Sequence, residues 1–72
     1  MSVGSKLRKI RIEKHMTQGD VMRAMGYKLE RSYLSRLECG KVKYPRLSTL
    51  KLFADVFKIS LSELIHRIYE ED

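Results

Sequence analysis

The amino-acid sequence predicts an all-α protein made of five short helices. Apolar residues recur at helical spacing in five segments, and residue types that begin or end helices separate these segments. No segment alternates apolar and polar residues as a half-buried strand does. The length of 72 residues is suited to one small domain. We therefore expect a single domain over residues 1–72, with helices at about 5–15, 17–25, 31–39, 46–58 and 60–69.

The first two helices are predicted from a short apolar stripe and a capping residue. Leu7 and Ile10 lie three residues apart in the first helix and face inward. Thr17 is expected to cap the second helix, since its hydroxyl can accept a hydrogen bond from the amide of Asp20. Gly26 follows that helix, and a glycine ends a helix with a positive φ at little cost. We interpret the glycines and the single proline as residues that lie between helices.

The last three helices are predicted from the same kind of evidence. Gly40 is expected to end the third helix, and Pro45 is expected to lie in the first turn of the fourth. Ser60 and Glu63 match a capping box, in which each side chain accepts from the other residue's backbone amide. The residues predicted to face inward in these helices are Leu34, Leu37, Leu47, Leu50, Phe53, Ala54, Phe57, Leu61, Leu64, Ile65 and Ile68.

The charge of the chain predicts a polyanionic partner. Lys and Arg number 15 against 9 Asp and Glu, which gives a formal net charge of +6. Nucleic acid and an anionic membrane would both suit this charge. However, no apolar run approaches the roughly 20 residues of a membrane-spanning helix, and no segment combines a basic face with a uniformly apolar one. The first residues also lack the apolar stretch of a signal peptide. We expect a cytoplasmic protein that binds nucleic acid and no membrane.

The sequence contains no pattern typical of an enzyme or of a metal site. It has no nucleophile paired with a base, no paired carboxylates in the context of a cleft and no phosphate-binding glycine loop. Cys39 is the single cysteine and is interpreted as a plain small residue. His15 and His66 lack the cysteine or acidic neighbours that metal sites require. We therefore expect no catalytic residue, no cofactor and no metal.

The stretch from Thr17 to Pro45 carries the most specific signal. A capped helix, a glycine turn and a short helix with polar outward positions follow one another there. With Thr17-Gln18, Gly26, SYLSRLECGK at 32–41, Pro45 and ISLSEL at 59–64, the chain resembles the phage-repressor/Cro-type (XRE-type) helix-turn-helix transcriptional regulators. The resemblance covers about residues 6–68 and implies a lambda-repressor-like DNA-binding domain. In that fold, helices 2 and 3 form the helix-turn-helix, and helix 3 enters the major groove.

The resemblance also implies roles for individual residues. Base-reading positions on the third helix correspond to Arg31, Ser32, Tyr33 and Arg36. Positions that bind DNA phosphates correspond to Gln18, Lys41, Lys43 and Arg46, and Lys28 in the lengthened turn is a further candidate for the same role. Arg11 and Glu38 correspond to an ion pair that joins the first and third helices. The turn after Gly26 is longer than is usual in the family, so the added residues extend either the loop or the third helix. Glu30 either caps that helix or repels the DNA backbone.

The same resemblance suggests how the protein assembles and acts. Small members of the family usually pair, so we expect a homodimer whose half-sites lie roughly one helical turn, about 34 Å, apart. The predicted interface on the fourth and fifth helices comprises Leu52, Val56, Ile65 and Tyr69. The expected function is sequence-specific binding of double-stranded DNA by a transcriptional regulator, of the small-repressor or restriction-modification controller type. The alternative is an antitoxin-type module that also binds a protein toxin.

Overall fold

A computed structural model describes residues 2–70, and these form five helices. The helices are α1 (Val3–Glu13), α2 (Gln18–Ala24), α3 (Arg31–Glu38), α4 (Leu47–Phe57) and α5 (Leu61–Tyr69). No strand occurs in this part of the chain, so the predicted all-α class with five short helices is confirmed. None of the five helices is long and apolar enough to cross a membrane. Three residues of the expected domain, Met1, Glu71 and Asp72, lie outside the described range.

Side-chain caps determine where α1 and α2 begin. The Ser2 hydroxyl accepts a hydrogen bond from the Ser5 amide at 3.0 Å, so α1 begins two residues earlier than predicted. At α2, the Thr17 hydroxyl accepts from the Asp20 amide at 3.0 Å, as predicted from the sequence. In return, the Asp20 carboxylate accepts from the Thr17 amide at 2.8 Å. This reciprocal capping box holds the first turn of α2.

Three expectations about the starts of α4 and α5 are wrong in detail. Pro45 is buried but precedes Arg46, the N-cap of α4, so it belongs to the loop rather than to the first helical turn. Leu47 is the first residue of α4 and is 54 % exposed, because the buried stripe of this helix begins only at 49–50. The Ser60 hydroxyl accepts from the Glu63 amide at 3.0 Å, but within residues 2–70 the return bond of the predicted capping box is not formed.

Four of the helices are followed closely by a residue whose backbone is in the left-handed conformation. Gly26 and Gly40 have φ values of 70° and 83°, as their positions after α2 and α3 predict. His15 and Lys58 take the same conformation, each with a φ of 58°, after α1 and α4. The residue after each then donates its amide back into the helix, as Ile59 does to the carbonyl of Ala54 at 3.1 Å. These bonds satisfy carbonyl groups that a helix end otherwise leaves unpaired.

The core lies where α1 packs against α3 and α5, α2 against α3, and α4 against α5. It consists of Leu7, Ile10, Val21, Met22, Met25, Leu34, Leu37, Leu50, Phe53, Ala54, Phe57, Leu64 and Ile68. Leu61 and Ile65, which were expected inside, are only partly buried. The interpretation of the glycines as residues between helices is wrong for Gly4 and Gly19, which lie inside α1 and α2. Gly4 is buried, and a Cβ there would overlap the carbonyl oxygen of Leu37.

Candidate nucleic-acid interface

The segment between α2 and α3 contains the turn of a helix-turn-helix. Gly26 and Tyr27 have φ values of 70° and 57°, so the chain reverses directly after α2. Leu29 then packs partly buried against the core, and α3 begins at Arg31. The additional residues of this turn therefore lie in the loop, and α3 keeps a start at Arg31.

One face of α3 is free for a partner. Leu34, Leu37 and Glu38 are buried, and the opposite side of the helix carries exposed residues. Ser32 and Arg36 are four residues apart and therefore lie on one line along the helix. Arg31 is also exposed, at the first position of α3. All three of Arg31, Ser32 and Arg36 are thus exposed, with Ser32 and Arg36 on one line and Arg31 at the N-terminal end of the helix, whereas Tyr33 is only partly exposed.

Tyr33 contacts one of the other predicted readers. The Arg36 guanidinium carbon lies 5.9 Å from the centroid of the Tyr33 ring, which is within the range of a cation–π interaction. Tyr33 is half-buried and packs against the core, so its ring is a fixed surface beside the Arg36 guanidinium. This contact restricts the positions that the Arg36 guanidinium can occupy.

Glu30 does not cap α3 with its side chain. Its backbone occupies the N-cap position, and no side-chain hydrogen bond reaches the first amides of the helix. The Ser32 hydroxyl instead donates to the Glu30 carboxylate at 3.5 Å, a long and weak contact. An exposed carboxylate therefore lies beside the start of α3, where it disfavours close approach of a phosphate.

Four exposed cations flank the two ends of α3. Lys28 lies in the loop before the helix, and Lys41, Lys43 and Arg46 lie in the segment after it. None of the four has an ion-pair partner within residues 2–70. Unpaired cations of this kind attract phosphates, and their binding releases the counterions that are condensed on the nucleic acid. The positive charge predicted from the composition is therefore present at both ends of the exposed helix.

A buried ion pair joins α1 to α3. Arg11 Nε donates to Glu38 Oε2 at 2.8 Å, and Arg11 Nη2 donates to Glu38 Oε1 at 2.9 Å. The two side chains are only 11 % and 4 % exposed. Arg11 Nη1 also donates to the carbonyl oxygen of Met16 at 2.7 Å, in the segment between α1 and α2. This arrangement satisfies both charges by direct contact and keeps the three segments together.

Gln18 makes contacts that sequence reasoning missed. Its Nε2 donates to Glu38 Oε1 at 3.1 Å, and its Oε1 accepts from the Ser35 hydroxyl at 3.3 Å. Gln18 is the first residue of α2, and both of its partners lie on α3. The available signal was the spacing of Ser35 and Glu38, which are three residues apart and therefore adjacent on one side of α3.

A comparison with protein families identifies the arrangement. The family model of the Cro/C1-type helix-turn-helix DNA-binding domain matches residues 6–70. The chain belongs to this family. It is therefore a DNA-binding regulator whose partner is double-stranded DNA, and the resemblance seen in the sequence is confirmed. Enzymatic activity is not typical of such domains. Comparisons with curated proteins and with solved structures found no match.

The predicted dimer residues of this Cro/C1-type domain differ in exposure. Leu52 and Val56 on α4 and Ile65 on α5 are partly buried and pack against the core of their own chain. Tyr69 is 48 % exposed at the end of α5. Each of the four thus leaves some apolar surface uncovered, although three of them also contribute to the fold.

The remaining candidate groups of the domain stand apart from one another. Cys39 is free and exposed. His66 Nδ1 lies 3.3 Å from a Glu70 carboxylate oxygen on the surface of α5. Within residues 2–70, no three His, Cys, Asp or Glu side chains come together in a group that could hold a metal ion.

Asp20 makes the stability of the domain sensitive to acid. Hydrogen bonds from the Thr17 amide, from Arg23 and from the Thr17 hydroxyl lower the pKa of Asp20 from 3.8 to about 2. Because the pKa of Asp20 is lower in the folded protein than in the unfolded chain, the ionised carboxylate stabilises the fold at pH values above 3.8. This contribution is lost as the pH falls towards about 2. We expect Asp20→Asn to lower the Tm at neutral pH and the difference from wild type to shrink as the pH falls from about 5 to about 2.

The measurement is thermal unfolding followed by circular dichroism across this pH range. Asp55→Asn is the matched control, because Asp55 is an exposed aspartate of α4 that makes no ion pair within residues 2–70. A Tm difference between wild type and Asp20→Asn that stays constant from pH 5 to pH 2 would show that the ionised form of Asp20 does not contribute to the stability of the fold.

Proposed function

We propose that this protein is a sequence-specific transcriptional regulator, of the small-repressor or restriction-modification controller type, that places α3 in the major groove of DNA. The observation that carries the proposal is the exposed side of α3, with Ser32 and Arg36 on one line, Arg31 exposed at the first position of the helix and unpaired cations at both ends. Arginine suits this role because its planar guanidinium group can donate hydrogen bonds to both acceptors on the major-groove edge of guanine. Such a contact contributes about 1–3 kcal/mol of discrimination against other bases.

The proposed interface contains two groups of residues, one that contacts bases and one that binds phosphates. Arg31 and Arg36 read guanine edges, and Ser32 and Tyr33 contact bases or nearby phosphates. The backbone amide of Gln18, at the start of α2, donates to a phosphate. The residues that hold phosphates by charge are Lys28, Lys41, Lys43 and Arg46.

Two substitutions separate these roles. Arg36→Ala removes a base contact, so we expect discrimination against a changed base pair in the half-site to fall by about 1–3 kcal/mol. Lys43→Ala removes a phosphate contact, so it weakens binding to every sequence and reduces the slope of log K against log salt concentration by about 0.9. Fluorescence anisotropy titrations at several salt concentrations, with a selected site and with single-base variants of it, measure both quantities.

A control lysine lies at the far end of α4 from Arg46. Lys58 follows the last residue of that helix, and eleven residues of helix span about 16 Å. Lys58→Ala should therefore leave both the site preference and the salt slope close to those of wild type. If Arg36→Ala and Lys43→Ala bind the selected site as tightly as wild type does, the proposed docking of α3 is wrong.

We further propose that two chains pair through α4 and α5 by means of Leu52, Val56, Ile65 and Tyr69. The uncovered apolar surface of these side chains supports the proposal. At about 50 µM, light scattering after size exclusion should give twice the chain mass of 8.5 kDa. Ile65→Glu should give a monomer, and Ile12→Glu, at an exposed apolar residue of α1, should not. A monomeric wild type at this concentration would contradict the homodimer.

The antitoxin-type alternative requires a second protein surface. Ile12 on α1 is 47 % exposed and lies outside the residues proposed for DNA binding and for pairing of two chains. Affinity purification of the tagged protein from its native cells tests this alternative. Stoichiometric recovery of one small unrelated protein, whose binding is lost in Ile12→Glu, supports it, and recovery of the protein alone contradicts it.

A further inference from the structure

The hydrogen bonds between Gln18 and α3 have a fixed direction. A carboxylate only accepts hydrogen bonds, so the amide nitrogen of Gln18 must face Glu38. The carbonyl oxygen of Gln18 then points to the Ser35 hydroxyl, which donates to it. Arg11 in turn holds the Glu38 carboxylate with two hydrogen bonds. The four side chains therefore form one connected polar network with a single orientation.

The network connects the two proposed parts of the DNA interface. Gln18 is the first residue of α2, which is proposed to bind a phosphate, and Ser35 is next in sequence to Arg36. The other buried side chains of α2 and α3, such as Val21 and Leu34, are apolar members of the core, and apolar packing fixes helix rotation less strictly than hydrogen bonds do. A bidentate base contact requires its atoms in place to within about 0.5 Å. A small rotation of α3 would therefore move Arg31 and Arg36 out of register with the bases.

We infer that Gln18 and Ser35 are positioning residues that determine sequence specificity without contacting a base. The inference rests on the proposed function, because it assumes that α3 reads bases while the start of α2 is held by a phosphate. Gln18 thereby acquires a role beyond that of a phosphate ligand. Ser35, which the resemblance did not mark as a site residue, becomes part of the specificity of the domain.

The test compares Gln18→Met, Ser35→Ala and the double variant with wild type. Met keeps the approximate length of Gln but forms neither hydrogen bond, and Ala removes only the hydroxyl. The measured quantity is the ratio of dissociation constants for the selected site and for a site altered at the base pair that Arg36→Ala affects. We expect each single variant to lower this ratio about three- to tenfold, and the double variant to lower it no further than Gln18→Met does.

Two further variants separate positioning from general stability. Ser35→Thr keeps the hydroxyl and should restore the wild-type ratio. Ser62→Ala removes an exposed serine of α5 and should change neither the ratio nor the Tm. The inference is overturned if Gln18→Met weakens binding to both sites equally, because Gln18 then only holds a phosphate. It is also overturned if the losses of the two single variants multiply in the double variant.

Failure of this inference can be distinguished from failure of the proposed function. If wild type shows no site preference, or if Arg36→Ala keeps the wild-type preference, then α3 does not read bases as proposed. If Arg36→Ala loses the preference for the selected site as expected, while Gln18→Met and Ser35→Ala retain it, only the positioning role of Gln18 and Ser35 is wrong.

Discussion

Glu38→Ala should destabilise the domain by about 3–5 kcal/mol, because it leaves the Arg11 guanidinium buried without a counter-charge. Arg11 would keep its bond to the Met16 carbonyl but would lose both bonds to the carboxylate. A chain of 72 residues has a total stability of about 4–11 kcal/mol, so a large part of the population could unfold at room temperature. Urea unfolding at low temperature, followed by circular dichroism, measures the loss.

Glu13→Ala provides a matched control for this prediction. Glu13 pairs with Arg67 at the same distance of 2.8 Å, but the two side chains are 47 % and 34 % exposed. Solvent screens an exposed pair, so its removal should change the free energy of unfolding far less. The double variant Arg11→Met with Glu38→Leu should recover much of the stability that Glu38→Ala loses, since it removes both charges. If Glu38→Ala costs no more than Glu13→Ala, the buried pair does not hold α1 against α3.

Gly4→Ala should destabilise the domain by about 2–3 kcal/mol, because its Cβ would overlap the carbonyl oxygen of Leu37. Intrinsic helix propensity alone predicts the opposite, a gain of up to about 1 kcal/mol. The steric effect outweighs this gain because the obstructing atom belongs to the backbone of α3 and cannot rotate away. Relief of the overlap requires α1 and α3 to move apart and opens the core around Leu7 and Leu37.

Gly19→Ala is the matched control, because the same substitution there brings the Cβ close to no backbone atom of another helix. Gly19 lies inside α2, and a Cβ there would meet only the Thr17 hydroxyl oxygen, at 3.7 Å. This is an ordinary van der Waals contact, so the helix-propensity gain should remain and the variant should be as stable as wild type or more stable. Urea unfolding of both variants gives the comparison. Equal effects of Gly4→Ala and Gly19→Ala would show that the contact between α1 and α3 at Gly4 is not tight.

Local signals in the sequence predicted much of the fold. Thr17 lies three residues before Asp20, and this spacing predicted the start of α2. Gly26 and Gly40 follow apolar stripes, and both adopt the positive φ that ends a helix. The family resemblance, carried by short motifs in a fixed order, predicted the arrangement of α2 and α3 that the match over residues 6–70 confirms. The caps, the turns and each short motif depend on neighbours within a few positions of the chain.

The features that were missed depend on residues far apart in the chain. The importance of Gly4 arises from the carbonyl of Leu37, 33 positions later, so helical periodicity gives no sign of it. The bond between Gln18 and Ser35 likewise requires the crossing of α2 and α3 to be known. Leu47 fits an apolar stripe in sequence, yet it is exposed because no neighbouring segment covers the first position of α4. The predicted DNA and dimer contacts also concern partners outside the chain, and they stay predictions.

Selection of bound sites from random duplex DNA tests the central claim most directly. We expect an enriched sequence with two-fold symmetry and half-sites roughly one helical turn, about 34 Å, apart. The same selection with Arg36→Ala should lose the preference at one base pair in each half-site while the rest of the sequence is still enriched. Recovery of no sequence above the random background, or of an identical sequence with Arg36→Ala, would contradict a protein that reads DNA with the exposed face of α3.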